Sequence, residues 1–293
     1  MINFIPFLDA IRATGLNPPA HIQIGRIHRF PGLGKAPSNR AGWCQLSEDG
    51  RFGSFGDWSS GLKETWIAGS RIIQSPHEYK KSIEKAREQR EAAREEKRKL
   101  QTQAAVLAHD IWTAASAAEQ TFPYLIAKGI SPHNAKIYRG TLVLPITDFS
   151  DLLTSLQFIS PDGSKRLLAQ GQKRGCFIPV AGHLCDHQSI VVAEGWATGC
   201  SLAEHSHGAT VIAAIDAGNL TPVALGISKR YPNARLIIAG DDDRLNPDNP
   251  GATKAKAAAI ASDALLALPE WPEAAPDRLT DFNDLALFKR GLL

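Results

Sequence analysis

The chain has 293 residues, 43% hydrophobic and 22% charged, with a formal net charge of +3. Such a length supports about two domains of roughly 150 residues each, and the composition excludes a fibrous or disordered chain. No apolar run reaches the roughly 20 residues of a membrane span, no secretory signal is legible at the N-terminus, and four scattered cysteines speak for a reducing compartment rather than a disulfide framework. The expectation is a cytoplasmic protein without a membrane partner.

In chain order, MINFIPFLDAIRATG predicts a short amphipathic helix. GWCQLSEDGRFGSFGDWSSGLKETW then alternates polar and apolar residues between turn signals, the grammar of short antiparallel strands. Residues 1–75 are therefore expected to form a small β-rich module. Residues 76–120 form a charged helical linker: Lys80–Leu100 has no Gly or Pro and is dense in Lys, Arg, Glu, Gln and Ala, all strong helix formers. Opposite charges recur through Glu84, Arg87, Glu88, Glu91 and Arg94, which suits a solvated helix better than a nucleic-acid-binding one.

Residues 121–187 begin with a helix and turn, FPYLIAKGI. Strands are expected over Thr141–Thr147, Leu153–Ser160 and Lys165–Ala169, with a turn at Pro161-Asp162-Gly163. From residue 188 to 293 apolar strands alternate with helices: strands at Ser189–Ala193, Ala209–Ala214 and Ala234–Ala239, helices at Trp196–Ser206, Leu220–Arg230 and about Ala252–Leu268. That alternation specifies an α/β fold with a parallel sheet.

Two acidic elements end predicted strands. Glu194 follows VVA, and Asp241-Asp242-Asp243 follow LIIAG. Ligands of open α/β sheets bind outside the carboxyl ends of the strands, so these acids belong on one rim although 47 positions separate Glu194 from Asp241. Carboxylates about 4 Å apart repel by about 4 kcal/mol at an effective dielectric of 20, so such a cluster protonates or takes a cation. Hard oxygen ligands beside a phosphate-bearing substrate suit Mg²⁺, or Mn²⁺. Along an extended segment Asp241 and Asp243 point one way and Asp242 the other, which makes Asp241 and Asp243 the ligands. Either acidic element alone would serve equally as a helix cap.

VVAEGWATG followed by LIIAGDDDR resembles the Toprim domain of bacterial-type primases, topoisomerases and some nucleases. The resemblance implies that Glu194 is a metal ligand or general acid/base and that Asp241 and Asp243 hold Mg²⁺. TDFNDL at Thr280–Leu285 resembles the element that closes the Toprim region of phage helicase–primases, which adds Asp281 and Asp284 as candidate ligands. Thr198 stands where some members carry an acid.

Before this region, residues 121–175 hold seven Lys/Arg against three Asp. This basic segment resembles the α+β subdomain that precedes the Toprim fold in phage and plasmid primases. Lys165 and Arg166 lead the phosphate- or DNA-binding candidates, followed by Arg139, Lys173 and Arg174. HRFPGLGK, AGW and FGDWSSGL resemble the N-terminal region of the same primases. No zinc site is expected: Cys44 stands alone there, and Cys176, His183, Cys185 and His187 lack the usual ligand spacing. Trp43, Phe55 and Trp58 are candidates to stack on bases, although most such aromatics fill small β cores. No Walker A loop is present.

The function implied is a DNA primase. It would be a nucleotidyltransferase making short primers on a single-stranded DNA template from nucleoside triphosphates, with a separate replicative helicase as a further partner. The alternatives are a Toprim-type metal-dependent nuclease and a non-catalytic DNA-binding replication accessory.

Overall fold

The computed structural model describes residues 3–68, 76–206 and 208–293, with side chains in the helix that starts at Pro76 described from Arg87 onward. The expected boundary at 75/76 borders residues outside the described ones, and the side chain of Glu84 lies outside them too. The chain divides into two compact units, residues 1–87 and 88–293.

The first unit opens with helix α1 (Ile5–Ala13) and continues into four strands, β1 (Ile27–Phe30), β2 (Gly42–Leu46), β3 (Phe52–Asp57) and β4 (Leu62–Ile67). They form an antiparallel meander in sequence order. Strand alternation sends Phe30, Cys44, Leu46 and Phe55 to one face, where Phe7, Leu8 and Ile11 of α1 cover them. Each of the large side chains so buried stabilises by roughly 1.5–3 kcal/mol. Gly53 faces the Phe7 ring, where a Cβ would collide with it.

The three N-terminal motifs meet at one end of this sheet. Asp57, fully buried, accepts the Leu33 amide at 2.9 Å, the Ser59 amide at 2.8 Å and the Ser59 hydroxyl at 2.7 Å. Asn39 Oδ1 accepts the amides of Gly32 and Ala41 at 3.1 and 2.8 Å. A buried carboxylate is tolerated because donors replace its water, and here they fix the loop that joins β1 to β2.

Helix α2 (Pro76–Ala114) is exposed over residues 87–99, as a charged spacer should be. Its last turns are not spacer: Ala104 and Ala108 are buried, and Ala108 packs on Val143, Leu156 and Phe158. Small side chains there let the helix sit close against a sheet.

That sheet belongs to the second unit. After β5 (Ser116–Ala117), helix α3 (Pro123–Lys128) ends at Gly129 in the left-handed conformation, φ 58°. Strands β6 (Lys136–Tyr138), β7 (Thr141–Thr147), β8 (Leu153–Ile159) and β9 (Lys165–Leu167) complete an antiparallel sheet in the order β5-β6-β7-β8-β9.

The second sheet of this unit comprises β10 (Ile178–Ala181), β11 (Ser189–Ala193), β12 (Thr210–Ala213), β13 (Arg235–Ala239) and β14 (Leu265–Ala267). Helices α4 (Trp196–His205), α5 (Ala217–Arg230) and α6 (Pro250–Ser262) connect the last four, and α7 (Phe282–Lys289) closes the chain. The order is β10-β12-β11-β13-β14, with β11 to β14 parallel and β10 antiparallel to β12.

One expectation is corrected here. The helix read as far as Leu268 stops at Ser262, because Asp263 takes the left-handed conformation at φ 54°. Leu265–Ala267 then add an outer strand beside β13. The Toprim-like sheet also reaches back before residue 188 to recruit β10 as an edge. The two sheets share one core, in which Tyr124, Leu142, Leu144 and Ile159 meet Ile178, Val191, Trp196 and Cys200.

Candidate active site

Strands β11 and β13 are immediate neighbours, and their last paired residues are Ala193 and Ala239. Glu194 and Asp241 follow those positions by one and two residues. Two stretches of chain far apart in sequence thus deliver carboxylates to one rim. Gly240 between strand and acid has no room for a Cβ, which would fall 3.1 Å from Leu268 and closer still to Ala255.

The acids feel one another. Burial raises the Asp241 pKa to about 8, with Glu194, Asp281, Asp243 adding to the rise and Lys165 opposing it. Burial also raises Glu194, reinforced by Asp243, Asp216 and Asp281 and opposed by the Ala217 amide. Asp281 is raised by burial and by Asp284, while the amides of Asp284 and Asn283 and the Lys128 charge pull it down. All three shifts mark negative charge concentrated where water is scarce.

The three aspartates in sequence have separate tasks. Asp242 points away: its Oδ1 accepts Asn249 Nδ2 at 2.7 Å and its Oδ2 accepts the Trp271 indole at 3.0 Å. Asp243 Oδ2 accepts the Gly251 amide at 3.0 Å, at the start of α6. Asp241 keeps Oδ1 buried with no hydrogen-bond partner, as does Glu194 its Oε2.

Asp281 and Asp284 clasp the start of α7. Asp281 Oδ1 accepts the Asp284 amide at 2.8 Å, and Asp284 Oδ2 accepts the Thr280 amide at 3.1 Å. The first contact makes Asp281 the N-cap of α7, and the second ties the residue before the cap to the helix's first turn. Asp284 also lies 3.8 Å from Lys128, so its oxygens are already engaged, whereas Asp281 joins the electrostatic cluster with Asp241 and Glu194.

Among the described residues, no three His, Cys, Asp or Glu side chains are drawn together into a ready metal-binding cluster. The donor set still suits Mg²⁺. Two buried carboxylate oxygens lack partners, all the candidates are hard oxygen donors, and Mg²⁺ keeps several waters rather than demanding a complete protein cage.

The basic candidates separate by strand geometry. On β9, Lys165 pairs across from Ile159 and Arg166 from Phe158. Ile159 faces the shared core with Tyr124 and Trp196, and Phe158 faces the cluster with Ala108. Lys165 therefore lies on the core side of β9, its Nζ 6.0 Å from the Tyr124 ring centroid. The protein around its ammonium and the Lys128 charge lower its pKa, and Asp281, Asp241 and Glu194 oppose this. Arg166 lies over the Phe158 ring at 4.1 Å, on the other face. Arg139 is exposed in the β6–β7 turn beside Tyr138, Arg174 is exposed, and Lys173 is ion-paired with Asp216.

Four residues that shape the site had no clear signal in the sequence. Lys128 and Asp216 enter its electrostatics directly. Asn219 accepts the Gly175 amide at 2.9 Å and donates to the Cys176 carbonyl at 2.8 Å, fixing the loop that carries Lys173. Asn283 donates to the Lys128 carbonyl at 2.7 Å and to Ser201 Oγ at 2.9 Å, joining α7 to α3 and α4. An asparagine in the first turn of a helix that leaves a sheet rim is the local clue; its distant partners are not encoded nearby.

Residues 189–290 match the Toprim domain family model. Two Escherichia coli proteins described as DNA primase TraC are similar to this chain. One is 32% identical over 276 aligned positions, covering 87% of this chain and 19% of the relative. The other is 30% identical over 269 positions, covering 87% and 25%. The chain thus spans a quarter or less of the length of these relatives. Among solved structures, the primase fragment of the bacteriophage T7 primase-helicase aligns at 12% identity and a TM-score of 0.41, covering 91% of this chain and 95% of that one. A DnaG primase catalytic domain bound to single-stranded DNA aligns at 13% identity and a TM-score of 0.42, covering 67% and 77%. Residues 189–290 form a Toprim domain, in a chain homologous over most of its length to the DNA primase TraC.

Proposed function

We propose that this chain is a DNA primase, a nucleotidyltransferase that builds short primers from nucleoside triphosphates on single-stranded DNA. The observation that carries the reading is Lys165: a cation from the antiparallel sheet set against Glu194, Asp241 and Asp281 of the Toprim sheet. A triphosphate needs both, a cation for its oxygens and acids for its metal. Homology to TraC supports the same reading.

Asp241, Asp243 and Glu194 would hold Mg²⁺ or Mn²⁺, with Asp281 beside them and Asp284 mainly securing the helix start. When bound, the metal neutralises phosphate oxygens and orients them. Lys165 binds the phosphates of the incoming nucleotide, and Lys128 adds positive charge behind it. Glu194, held by the Ala217 amide on one side, accepts the proton of the attacking 3′-hydroxyl at Oε2. The new bond joins that oxygen to the α-phosphorus, and the bond to pyrophosphate breaks. The Lys173–Asp216 pair steadies the far side of the rim. Arg139, Arg166 and Arg174 lie outside this inner group and would contact the template backbone.

A gel assay with single-stranded template, labelled nucleotides and Mg²⁺ or Mn²⁺ tests the proposal. Primers from the wild type and none from an Asp241→Ala/Asp243→Ala variant are expected. Equal synthesis by both, or cleavage of DNA in the absence of nucleotides, would overturn it, the latter in favour of a nuclease.

A further inference from the structure

Tyr124 stands second in α3, directly after Pro123, and is 4% exposed. It shares a core cluster with Ile159 of the antiparallel sheet and with Trp196 and Cys200 of α4, and Phe282 at the start of α7 packs against the same cluster. Its hydroxyl is buried there without a hydrogen-bond partner. An orphan hydroxyl costs stability, and phenylalanine would fill the same space without that cost. Packing therefore accounts for the ring and leaves the oxygen unexplained.

The surroundings supply a task for each part. The turn that leads into β9 rests on the ring: a Cβ on Gly163 would lie 3.5 Å from Tyr124 Cδ2. Two residues later, the Lys165 ammonium lies 6.0 Å from the ring centroid, within the outer reach of a cation–π contact. On its other side α3 is fastened to α7. Asn283 donates to the Lys128 carbonyl at 2.7 Å, and Arg290 donates to the Gly129 carbonyl at 2.9 Å. Asp281 caps that same helix, and its Oδ1 is taken by the Asp284 amide at 2.8 Å. Burial, Cys200 and Asp281 all push the ionisation of Tyr124 upward, so its hydroxyl keeps its proton and remains a donor.

We infer that Tyr124 is a positioning residue shared by the two halves of the site, its ring bracing Lys165 and its hydroxyl serving as the donor that orients the Asp281 carboxylate for a metal. It touches neither nucleotide nor metal. A donor on one carboxylate oxygen fixes the direction of the other, the usual work of groups that stand behind metal ligands. One rigid side chain between the antiparallel sheet and α7 also sets the spacing of cation and acid, which a triphosphate and its metal must match. The ring's part rests on the primase reading, since that reading gives Lys165 its phosphates; the hydroxyl's part needs only a metal.

Tyr124→Phe in the full chain separates the oxygen from the ring. In EDTA its melting temperature should equal or exceed that of the wild type, because an orphan hydroxyl is removed. By isothermal titration calorimetry its affinity for Mg²⁺ should fall by about tenfold, the lower range for a lost supporting contact. In an Asp281→Asn background the same substitution should change Mg²⁺ affinity no further. In primer synthesis Tyr124→Phe should lower kcat and leave the nucleotide KM unchanged. Tyr124→Leu, which loses the ring as well, should raise that KM by about fivefold, the scale of a cation–π contact at an exposed site, and should not raise it when Lys165 is already Ala. Unchanged Mg²⁺ affinity in Tyr124→Phe would overturn the hydroxyl's role whatever its melting temperature, and equal KM values for the Phe and Leu variants would overturn the ring's. The titration needs no synthesis, so the two readings fail separately. A wild type that makes no primer, with Mg²⁺ affinity still lost in Tyr124→Phe, defeats only the primase reading. Primer synthesis with both variants equal to the wild type in titration and kinetics defeats only this inference.

Discussion

Glu194 and Asp241 leave adjacent parallel strands one and two residues beyond the Ala193–Ala239 pair, and each keeps a buried carboxylate oxygen without a hydrogen-bond partner. Their proximity destabilises the protein that contains them unless a cation intervenes. Carboxylates about 4 Å apart repel by roughly 1–4 kcal/mol between bulk-water and protein-surface dielectrics. In EDTA, Asp241→Asn should therefore raise the melting temperature by about 2–16 °C at roughly 2–4 °C per kcal/mol. Added Mg²⁺ should stabilise the wild type, by about 2.7 kcal/mol at a hundred times its dissociation constant, and the variant much less. Calorimetry with and without Mg²⁺ checks both; an unchanged response to Mg²⁺ in the variant would remove Asp241 from the ligand set.

Lys165 and Arg166 are neighbours in sequence and opposite in direction. Replacing Lys165 by Ala should lower primer synthesis by about a hundredfold, as for loss of one charge aimed at the reacting phosphates. Arg166→Ala, which removes a guanidinium stacked on Phe158, should stay within about threefold, the behaviour of substitutions away from reacting groups. Steady-state kinetics against nucleotide concentration measure the contrast, and equal losses would mean that strand alternation does not decide access to the site.

Gly251 lies against the loop that carries the acids: a Cβ there would be 2.7 Å from the Asp241 carbonyl oxygen and 3.0 Å from Asp243 Oδ2. Gly251→Ala should force that loop outward at a cost of about 1–3 kcal/mol. Its Mg²⁺ affinity should fall by about tenfold, the lower range for disturbed supporting contacts. Asp242→Ala offers the complementary case. It leaves the half-buried Asn249 amide and Trp271 indole without their acceptor and should cost up to about 1–3 kcal/mol in urea unfolding, the full penalty applying only where water cannot reach the donor.

Asp57 gives a pH dependence. Burial alone would raise its pKa, but the Ser59 hydroxyl and the amides of Leu33 and Ser59 outweigh it and bring it below the ordinary 3.8. A depressed folded-state pKa means that the unfolded chain takes up the proton first. The stabilisation is complete above about pH 3.8 and is lost as pH falls through the lower folded value. Near-ultraviolet dichroism of the Trp43–Trp58 pair should report this loss in acid. Asp57→Asn should abolish that pH dependence and destabilise the module by about 1.5–3 kcal/mol, the scale of hydrogen bonds to a charged group.

Much of this was legible in the residues. The Val-, Ile- and Ala-rich runs before Glu194 and Asp241 end in acids, and apolar strands alternating with helices specify a parallel sheet, so the rim and its carboxylates follow from local pattern. The tail of α6 and strand β14 were not legible. Ala and Leu suit a helix and a buried strand alike, and only the left-handed turn at Asp263 separates them. Strand β10 was not read at all, because a short apolar segment gives no sign of which sheet will accept it.

By itself the sequence determined the α/β class of the C-terminal region, the β-rich N-terminal module, and the acids and cations available for chemistry, because period and composition act over a few residues. Only the tertiary structure decided that β11 and β13 are adjacent, that Lys165 and Arg166 face opposite sides of β9, that Asp242 is tied to Trp271, and that Trp58 remains in solvent over Trp43. Each of these depends on register or on a hydrogen bond between distant segments, and those are settled by packing the whole chain rather than by any short stretch of it.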